Sequence, residues 1–446
     1  MRNYDVVVVG GSAAGIPAAI TSRRHYPDKS VLVIREQEKA VIPCGIPYIF
    51  SELGSCDEDL IPDTVLSSNE IDLLIGKVVD VDPQEKVVEV ADGERIGYSK
   101  LVLATGSLPV VPPIPGVDME GVFAIEKSAP YLEQMAKAVD EAKHILIVGC
   151  GFIGVEIAEE CKRRRDVDIH IVEMLRHCLQ LTYDEEFSIR VEEVLGEQGI
   201  IILGSEKVEA FVGNERVEGV RLSSGQEIAT DMAILGIGSR ANVALAEKAG
   251  LEIGPTGGIQ VNRYMQTTNP DIYACGDCAE KVSFYDGMPS NLKLASIASM
   301  EARVAGANLF RLRRANEGVI GVYSTVLGDT AFAAAGLTEA GAREKGYEVI
   351  VGAAEAPNRH PSSMPGMAML RVKLVFEAGT RVLLGGQVSG AKSGGELINA
   401  ISACIHNRMT ADDIATFQTG THPGLTASPI SYQLVNAAEV ALAASS

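Results

Sequence analysis

The stretch Val6-Val7-Val8-Val9-Gly10-Gly11-Ser12-Ala13-Ala14-Gly15 determines how the beginning of this chain folds. Four consecutive valines are typical of a strand buried in a parallel sheet, and the alanine-rich residues 16–24 that follow predict a helix. The glycines at 10 and 15 fit the pattern G-x-G-x-x-G, with the small Ser12 in the middle position. In that pattern, backbone N–H groups at the helix N-terminus approach a pyrophosphate. Residues 10–15 are therefore predicted to bind a dinucleotide.

A second apolar strand, predicted at residues 31–34, brings a candidate ribose ligand to this loop. Dinucleotide-binding folds carry an acidic residue after the second strand, where its carboxylate accepts a hydrogen bond from a ribose hydroxyl. Arg35 occupies the first position after the strand, and Glu36 comes next. Glu36 is therefore the predicted ribose ligand of the first nucleotide.

The same strand, glycine loop and helix recur in the middle of the chain. Residues 144–148 predict a strand, residues 155–164 predict a helix, and between them stands an unmodified motif, Gly149-Cys150-Gly151-Phe152-Ile153-Gly154. The next predicted strand, residues 169–172, is followed at once by Glu173, near the offset of a ribose-binding acid. An acid here favours NADH because it repels a 2′-phosphate, while Arg176 and His177 leave NADPH open. Two dinucleotides in one chain suggest that a hydride passes from a nicotinamide to a flavin.

Two further segments support this interpretation. Residues 101–107 read as a strand that ends in a turn of small residues, and the prolines that follow mark a crossover between domains. Residues 268–277 end in Gly276-Asp277 after a second predicted strand. Because ligands of α/β sheets bind at the carboxyl ends of the strands, Asp277 is predicted to reach a bound nucleotide.

Composition excludes several classes of protein. The 446 residues suggest about three domains. With 39 Lys+Arg and 59 Asp+Glu the net charge is −20, which disfavours nucleic acids and anionic membrane surfaces as partners. We find no apolar run long enough to span a membrane and no signal peptide, and eight scattered cysteines do not suggest a disulfide scaffold. The composition predicts a soluble, cytoplasmic, multidomain α/β protein.

The sequence resembles the two-dinucleotide flavoprotein disulfide reductases over essentially its whole length. The resemblance implies two nested doubly wound (Rossmann-like) α/β domains and a C-terminal α+β dimerisation domain that forms a homodimer or a dimer of dimers. It divides the chain into residues 1–115 and 246–322 for FAD, 116–245 for NAD(P)H, and 323–446 for dimerisation. It further implies that FAD is held by the first glycine motif, by Asp277 at the ribityl chain, and by the family's other cofactor positions, Ala104, Thr105, Gly106, Gly238 and Gly276.

The residues around Cys44 place the chain in one branch of that family. Members with a paired redox disulfide carry C-x-x-x-x-C, whereas this chain reads Ile42-Pro43-Cys44-Gly45-Ile46-Pro47-Tyr48, with no second cysteine at that spacing. This string is similar to coenzyme A disulfide reductases and to persulfide and polysulfide reductases. A helix predicted at residues 48–53 would lower the pKa of the Cys44 thiol, and a thiolate beside a flavin attacks disulfide or persulfide sulfur.

The other cysteines are predicted to have no redox role. Cys275 and Cys278 form a C-x-x-C, but they flank the Gly276-Asp277 turn, and no second cysteine pair or paired histidines complete a zinc site. We predict no metal and assign both cysteines to structure. The remaining five have no partner at a recognisable spacing and are predicted to be packing residues: Cys56, Cys150, Cys161, Cys178 and Cys404.

The resemblance assigns roles to six more residues. Phe152 stands where related reductases place an aromatic gate over the flavin, and Glu156 matches a glutamate that contacts the nicotinamide amide. His422, within Gly420-Thr421-His422-Pro423, resembles the histidine that protonates a leaving thiolate across the dimer; His360 stands where coenzyme A disulfide reductases carry a tyrosine. Arg23 and Arg24 match a basic pair that contacts the phosphates of coenzyme A, although arginines also suit the end of any helix.

Three functions therefore remain open, and the first is favoured. The leading hypothesis is an FAD-dependent, NADH-preferring reductase of disulfides, persulfides or polysulfides, with a coenzyme A-linked substrate as one option and Cys44 as the sole redox thiol. The second is an NADH oxidase in which Cys44 cycles through a sulfenic acid. Oxygen- and peroxide-reducing relatives carry a histidine at the position of Ala13, which argues against peroxidase chemistry. The third is an electron-transfer subunit that docks a small redox protein.

Overall fold

A computed structural model of the chain describes residues 1–163 and 165–444. The chain folds into two compact units, each assembled from separate parts of the sequence. Unit 1 consists of Met1–Pro113, Phe123–Glu141 and Ile237–Val319. Unit 2 consists of Ile114–Val122, Ala142–Gly236 and Ile320–Ser446. The two glycine motifs therefore belong to different units.

The strands and helices of both units follow one another in mixed α/β order. The strands are β1 Arg2–Val9, β2 Val31–Arg35, β3 Asp72–Ile75, β4 Val78–Asp82, β5 Val87–Val90, β6 Arg95–Leu103, β7 Ser107–Pro109, β8 Val122–Ala124, β9 His144–Val148, β10 Asp168–Val172, β11 Ile200–Leu203, β12 Val208–Gly213, β13 Val217–Leu222, β14 Glu227–Ala229, β15 Met232–Leu235, β16 Ser239–Ala241, β17 Ile272–Ala274, β18 Lys281–Val282, β19 Pro289–Ser290, β20 Val322–Leu327, β21 Thr330–Gly336, β22 Val349–Pro357, β23 Met369–Glu377 and β24 Leu383–Gly390. The helices are α1 Gly15–His25, α2 Thr64–Ser67, α3 Ala129–Glu141, α4 Phe152–Lys162, α5 Glu185–Glu197, α6 Ala244–Lys248, α7 Ala295–Asn308, α8 Glu339–Glu344, α9 Gly394–His406, α10 Ala411–Ala415 and α11 Gln433–Ala444.

Unit 1 is built on a sheet with the strand order β3-β2-β1-β6-β5-β4, in which β17 also pairs with β6. Strands β1 and β2 are parallel, with Val6 opposite Val31, and β1 and β6 are parallel, with Val8 opposite Val102. Val6, Val7 and Val8 are fully buried because helices cover the sheet. The predicted strand and helix around the first glycine motif are confirmed, and the strand begins earlier than predicted, at Arg2.

Unit 2 repeats this arrangement, with β11, β10, β9 and β15 adjacent in that order. Strand β9 matches the predicted residues 144–148, and Ile145, Leu146 and Ile147 are buried. Helix α4 begins at Phe152, three residues before the predicted start, because the glycine loop turns directly into the helix. Of the predicted helix, residue 164 lies outside the described part of the chain.

The C-terminal part of unit 2 contains an antiparallel sheet with the order β20-β21-β24-β23-β22. Helix α11 packs so closely on β22 that a Cβ at Gly352 would overlap the carbonyl oxygen of Ala437. Helix α9 lies within residues 391–406, for which the sequence predicts helical structure. The predicted fold class, two doubly wound α/β domains followed by an α+β domain, is confirmed. Among the described residues, no helix is both long enough and apolar enough to cross a membrane.

Candidate active site

The first glycine loop lies at the carboxyl end of β1 and has the shape of a phosphate cradle. Gly10 has a φ of +114°, and a Cβ at this position would overlap the carbonyl oxygen of Ala104. A Cβ at Gly15 would overlap the Gly10 carbonyl oxygen, so α1 begins directly against the loop. Only glycine fits both positions. The N–H groups of Gly11, Ser12 and Ala13 donate no hydrogen bond to any described residue, which leaves them available to an anion.

The Gly276-Asp277 turn lies beside this loop. A Cβ at Gly276 would come within 2.7 Å of the Ala14 Cβ, so two segments more than 260 residues apart in sequence meet here, residue 14 and residue 276. Asp277 points toward the crossover segment, because its Oδ2 accepts a hydrogen bond of 2.7 Å from the Ser107 hydroxyl. The residues that the resemblance assigns to FAD are thus adjacent in unit 1, and their open backbone N–H groups fit a bound dinucleotide.

A buried ion pair that the sequence did not indicate holds this turn. Glu301 on α7 accepts a hydrogen bond of 2.9 Å from the Gly276 N–H, and Lys281 donates one of 2.7 Å to the Gly276 carbonyl oxygen. The two charged groups lie 3.4 Å apart with 0% and 2% of their side chains exposed. Burial raises the pKa of Glu301 to about 7, against the opposing effect of Lys281. No motif links the two residues, so only the fold reveals them.

The crossover segment is held by a short antiparallel pairing. Thr105 donates a hydrogen bond of 2.6 Å to the Asn242 carbonyl oxygen, and the N–H of Val110 donates one of 3.0 Å to Gly238. Strands β7 and β16 pair directly beyond these bonds. The predicted positions Ala104, Thr105, Gly106 and Gly238 are therefore neighbours in unit 1.

Glu36, the predicted ribose ligand, lies next to a buried arginine. Arg35 is 3% exposed and pairs with Asp63 at 2.8 Å, while its aliphatic part packs against Gly11. Glu36 is exposed and pairs with Lys77 at 3.0 Å. Arg35 thus supports the glycine loop from below, and Glu36 remains at the surface where a ribose can reach it.

Cys44 lies in an exposed turn and is the exposed one among the eight cysteines. The predicted helix at residues 48–53 is wrong: the structure has a 3₁₀ helix over Ile46–Phe50 instead. Pro47 at its first turn suits a helix start, but the segment ends after five residues at Ser51. A helix this short supplies only a small dipole, so the argument that it lowers the pKa of the Cys44 thiol loses its basis.

A buried carboxyl group packs against the turn that carries Cys44. The Asp59 side chain is 2% exposed and touches Gly45, where a Cβ would overlap its Oδ1. Its Oδ2 is buried without a hydrogen-bond partner among the described residues. Burial raises the pKa of Asp59 to about 6. Sequence reasoning missed this residue because it lies in a run of acids, Asp57-Glu58-Asp59, that reads as a solvated loop.

The second glycine loop lies at the carboxyl end of β9 in unit 2. A Cβ at Gly154 would overlap the Gly149 carbonyl oxygen, which repeats the close approach of the first loop. Glu173 accepts hydrogen bonds from the Cys150 N–H at 2.7 Å and from the Leu175 N–H at 2.8 Å. Gly151 and Ile153 are exposed on the same loop. Glu173 and the loop are thus brought together, as the motif predicts.

Two of the five cysteines predicted to be packing residues are paired, so that prediction is wrong for them. Cys150 and Cys178 form a disulfide bond across a sequence separation of 28. The fold brings the glycine loop and the loop after β10 side by side, which no spacing rule reveals. Cys56, Cys161, Cys275, Cys278 and Cys404 are free and buried, as expected of packing residues.

Phe152 and Glu156 line one face of α4. The Phe152 ring stacks on Tyr323, with 5.1 Å between the ring centroids and an interplanar angle of 4°. Glu156 accepts a hydrogen bond of 2.7 Å from the Thr325 hydroxyl. Burial raises the pKa of Glu156 to about 7. Near neutral pH this carboxyl group is therefore able both to donate and to accept a hydrogen bond.

The basic residues after β10 have acidic partners within unit 2. Arg176 pairs with Glu185 at 3.2 Å, and His177 pairs with Glu185 and Glu192 at 3.2 Å each. A 2′-phosphate would have to compete with these carboxylates. Together with Glu173, this charge arrangement favours NADH over NADPH.

His360 and His422 are brought together in the C-terminal part of unit 2. The His360 N–H donates a hydrogen bond of 3.2 Å to Pro423, and its Nδ1 lies 3.1 Å from the Thr426 carbonyl oxygen. His422 is exposed, and its Nδ1 accepts a hydrogen bond of 3.2 Å from the Gly424 N–H. Because Nδ1 is the acceptor, Nε2 carries the proton of the neutral ring and is free to donate it.

Arg23 and Arg24 differ in their surroundings. Arg23 donates to the carbonyl oxygens of Pro27 and Lys29, at 3.0 and 2.9 Å, and pairs with Glu70. Arg24 is exposed and has no ion-pair partner among the described residues. Of the two, Arg24 is the one whose guanidinium is available to a phosphate.

Both glycine loops and the C-terminal α+β sheet define a pyridine-nucleotide-dependent flavoprotein. Residues 4–302 match the family model for pyridine nucleotide-disulphide oxidoreductases, and residues 322–429 match the dimerisation domain of that family. The chain belongs to the pyridine nucleotide-disulphide oxidoreductase family. It is an NAD(P)H-dependent flavoprotein oxidoreductase acting on a sulfur group, and its cofactors are FAD and NAD(P)H.

Relatives and solved structures narrow the branch. An NADH oxidase of Methanocaldococcus jannaschii is 32% identical, with 92% of this chain and 93% of that protein covered. A CoA-dependent NAD(P)H sulfur oxidoreductase of Pyrococcus abyssi is 33% identical, with 92% and 93% covered. The structure of an NAD-dependent persulfide reductase from A. fulgidus superposes with a TM-score of 0.91 at 30% identity, covering 99% of this chain and 83% of that one. The predicted resemblance to the single-cysteine branch is confirmed.

Proposed function

We propose that this enzyme uses NADH to reduce disulfides, persulfides or polysulfides through Cys44 as its sole redox thiol. The observation that carries the proposal is that Cys44 is free and exposed, whereas the seven other cysteines are buried. A thiol must reach its substrate to attack it. Burial also raises the pKa of Cys56 to about 11, so that thiol is protonated at neutral pH.

The reaction needs one nucleophile, one proton donor and two electrons. The Cys44 thiolate attacks one sulfur of R–S–S–R, a Cys44–sulfur bond forms, the substrate S–S bond breaks, and R–S⁻ leaves. FAD, when bound, supplies the two electrons that it receives from NADH. These electrons reduce the mixed disulfide to the Cys44 thiolate and a second R–S⁻. The two leaving thiolates each take up a proton.

The remaining site residues take roles that follow from their surroundings. Residues 10–15, Glu36, the 104–106 segment, Gly238, Gly276 and Asp277 hold FAD, and the 149–154 loop with Phe152, Glu156 and Glu173 holds NADH. His422, with its free Nε2, is the proton donor, and the less exposed His360 positions its loop. Arg24 binds an acidic group of the substrate, such as a coenzyme A phosphate.

The proposed assembly is a cytoplasmic homodimer or a dimer of dimers. Residues 1–115 and 246–322 serve FAD, residues 116–245 serve NAD(P)H, and residues 323–446 dimerise. The match of residues 322–429 to the family's dimerisation domain supports this division. So do Leu425 and Ile430, which are 71% and 88% exposed near His422 and are available to be covered by a second subunit.

An NADH oxidase is the second candidate, because several relatives carry that name. In that reaction the Cys44 thiolate would be oxidised to a sulfenic acid by reduced oxygen and returned to thiolate by two electrons. Ala13 offers no imidazole to assist the sulfenate, which favours the sulfur substrate.

Anaerobic stopped-flow kinetics separates the two candidates. NADH oxidation is followed with coenzyme A disulfide, coenzyme A persulfide, glutathione persulfide and polysulfide in parallel. We expect fast turnover with at least one, a loss of about 10³-fold or more in Cys44→Ser, and full FAD content in that variant. Cys56→Ser, which replaces a buried thiol in the same segment, is the matched control and should keep its activity. Fast NADH loss only after oxygen is admitted would favour the oxidase, and full activity of Cys44→Ser would refute both.

A further inference from the structure

A disulfide bond ties the second glycine loop to the loop that follows the next strand. Cys150 is the second residue of the 149–154 loop, and Cys178 lies between β10 and α5. Both side chains are buried, with 1% and 0% of their surface exposed. The bond thus joins the two loops that the proposed function assigns to the pyrophosphate and to the ribose of NADH.

Hydrogen bonds reinforce this junction from both sides. The Cys150 N–H donates 2.7 Å to Glu173, and the Cys150 carbonyl oxygen accepts 2.9 Å from the Leu179 N–H. The Cys178 N–H donates 2.9 Å to Glu192, which fixes the other end against α5. The carboxylate predicted to bind the ribose therefore receives one of its two hydrogen bonds from a disulfide-bonded residue.

We propose that Cys150 and Cys178 form a thiol–disulfide switch that sets the affinity of the chain for its pyridine nucleotide. The proposal rests on the proposed function, which places NADH at these loops. With the bond closed, Cys150 holds Glu173 and the glycine loop in one arrangement. Two thiols cannot stay at bonding distance, so opening the bond separates the loops, and Cys150 has a glycine on each side to accommodate the shift.

The oxidant is a low-molecular-weight disulfide, the substrate class of the proposed reaction. One protein thiolate attacks R–S–S–R, a mixed disulfide forms, and R–S⁻ leaves. The second protein thiolate attacks the protein sulfur of that mixed disulfide, the Cys150–Cys178 bond forms, and a second R–S⁻ leaves. The two protein sulfurs lose two electrons, the substrate gains them, and the two protons pass to the leaving thiolates. Abundant substrate thus closes the bond and favours nucleotide binding.

The location of the bond suits a switch better than a permanent staple. Lasting disulfides are rare in reducing compartments, and those that occur there are mostly catalytic or redox-sensing. Burial of both sulfurs makes exchange depend on opening of the loop, so a bound nucleotide should slow reduction of the bond.

Thiol counting on the FAD-loaded enzyme tests the first half of the proposal. The protein is equilibrated with glutathione disulfide or with glutathione, quenched with acid, denatured and titrated with a thiol reagent. After correction for glutathione bound to Cys44, mass spectrometry of the peptides should find residues 150 and 178 joined in the first sample and free in the second. Free thiols at both positions in the oxidised sample would overturn the proposal.

Calorimetric binding of ADP-ribose to the same two samples tests the second half. This probe carries the ribose and pyrophosphate groups but cannot reduce the flavin. We expect the dissociation constant to rise about fivefold or more on opening the bond. Cys150→Ser and Cys178→Ser should bind like the reduced protein in both buffers, whereas Cys161→Ala, a buried control on α4, should respond as the unaltered protein does.

Equal dissociation constants in the two samples would overturn the switch, whatever the enzyme reduces. Because wild-type protein alone gives this result, poor folding of a variant does not affect it. Failure of the proposed function has a different signature: ADP-ribose binding changes with the bond, but no sulfur acceptor supports NADH oxidation.

Discussion

Replacing Asp59 by asparagine should remove a pH-dependent loss of stability from unit 1. The Asp59 side chain is 2% exposed, its Oδ2 has no hydrogen-bond partner among the described residues, and burial is the cause that shifts its pKa. Asparagine has nearly the same shape but no charge. The variant therefore isolates the cost of ionising a carboxyl group beneath the turn that carries Cys44.

The magnitude follows from the pKa of this group. Burial raises it from 3.8 to about 6, and a difference of one in pKa corresponds to about 1.4 kcal/mol. Because the folded protein holds this proton more tightly than the unfolded chain, the stabilisation is complete below pH 3.8 and is lost as the pH rises through about 6. The full loss is about 3 kcal/mol, of which about 2 kcal/mol falls between pH 4.5 and 7.5.

Urea denaturation of the FAD-loaded enzyme at several pH values measures this effect. The free energy of unfolding of Asp59→Asn minus that of the wild type should increase by about 2 kcal/mol between pH 4.5 and 7.5. Only this change matters, because lost or gained contacts shift both ends equally. Asp57→Asn is the control, since Asp57 is 65% exposed in its pair with Lys39. Parallel pH profiles for Asp59→Asn and the wild type would refute the reasoning.

Two further substitutions test the architecture of the units. Lys373→Met should lower the free energy of unfolding by about 3–5 kcal/mol, because the buried Lys373 ammonium lies 2.9 Å from the equally buried Asp184; Lys392→Met, at a lysine 64% exposed, should cost under about 1 kcal/mol in the same urea titration. Gly10→Ala should abolish FAD retention, read as the flavin absorbance per protein after gel filtration. Its control is Gly93→Ala, which has a similar φ of +88° but no atom near the added Cβ, and equal flavin loss in both would contradict the cradle.

The fold was predictable because its signals are local. Four valines before a glycine loop, and a second strand-loop-helix unit at residues 144–162, each state their structure within about 20 residues. The errors lie at the ends of elements. The helix expected after Cys44 fails because Pro47 and Ser51 bound a five-residue 3₁₀ turn, whose burial against α3 matters more than helical propensity.

The site was predictable only where a motif carried it. Glu173 and Asp277 follow strands directly, so the sheet positions them. Asp59 and the Lys281–Glu301 pair belong to no motif, and their importance lies in burial, which depends on elements far away in sequence. A run of acids such as Asp57-Glu58-Asp59 is normally a solvated face, and nothing in the sequence shows that only its last member turns inward.

The Cys150–Cys178 bond shows why a spacing rule fails in this fold. Disulfide frameworks are recognisable in short secreted chains because the bonds replace a hydrophobic core, whereas this chain has ample core and its cysteines are dispersed. What joins these two cysteines is the topology itself. In a doubly wound domain the loops after adjacent parallel strands, here β9 and β10, meet at one edge of the sheet. Two cysteines on such loops are therefore neighbours at any spacing, and they lie where the nucleotide binds. Cysteines placed after adjacent strands of other nucleotide-binding units should accordingly be examined as pairs, regardless of their separation in sequence.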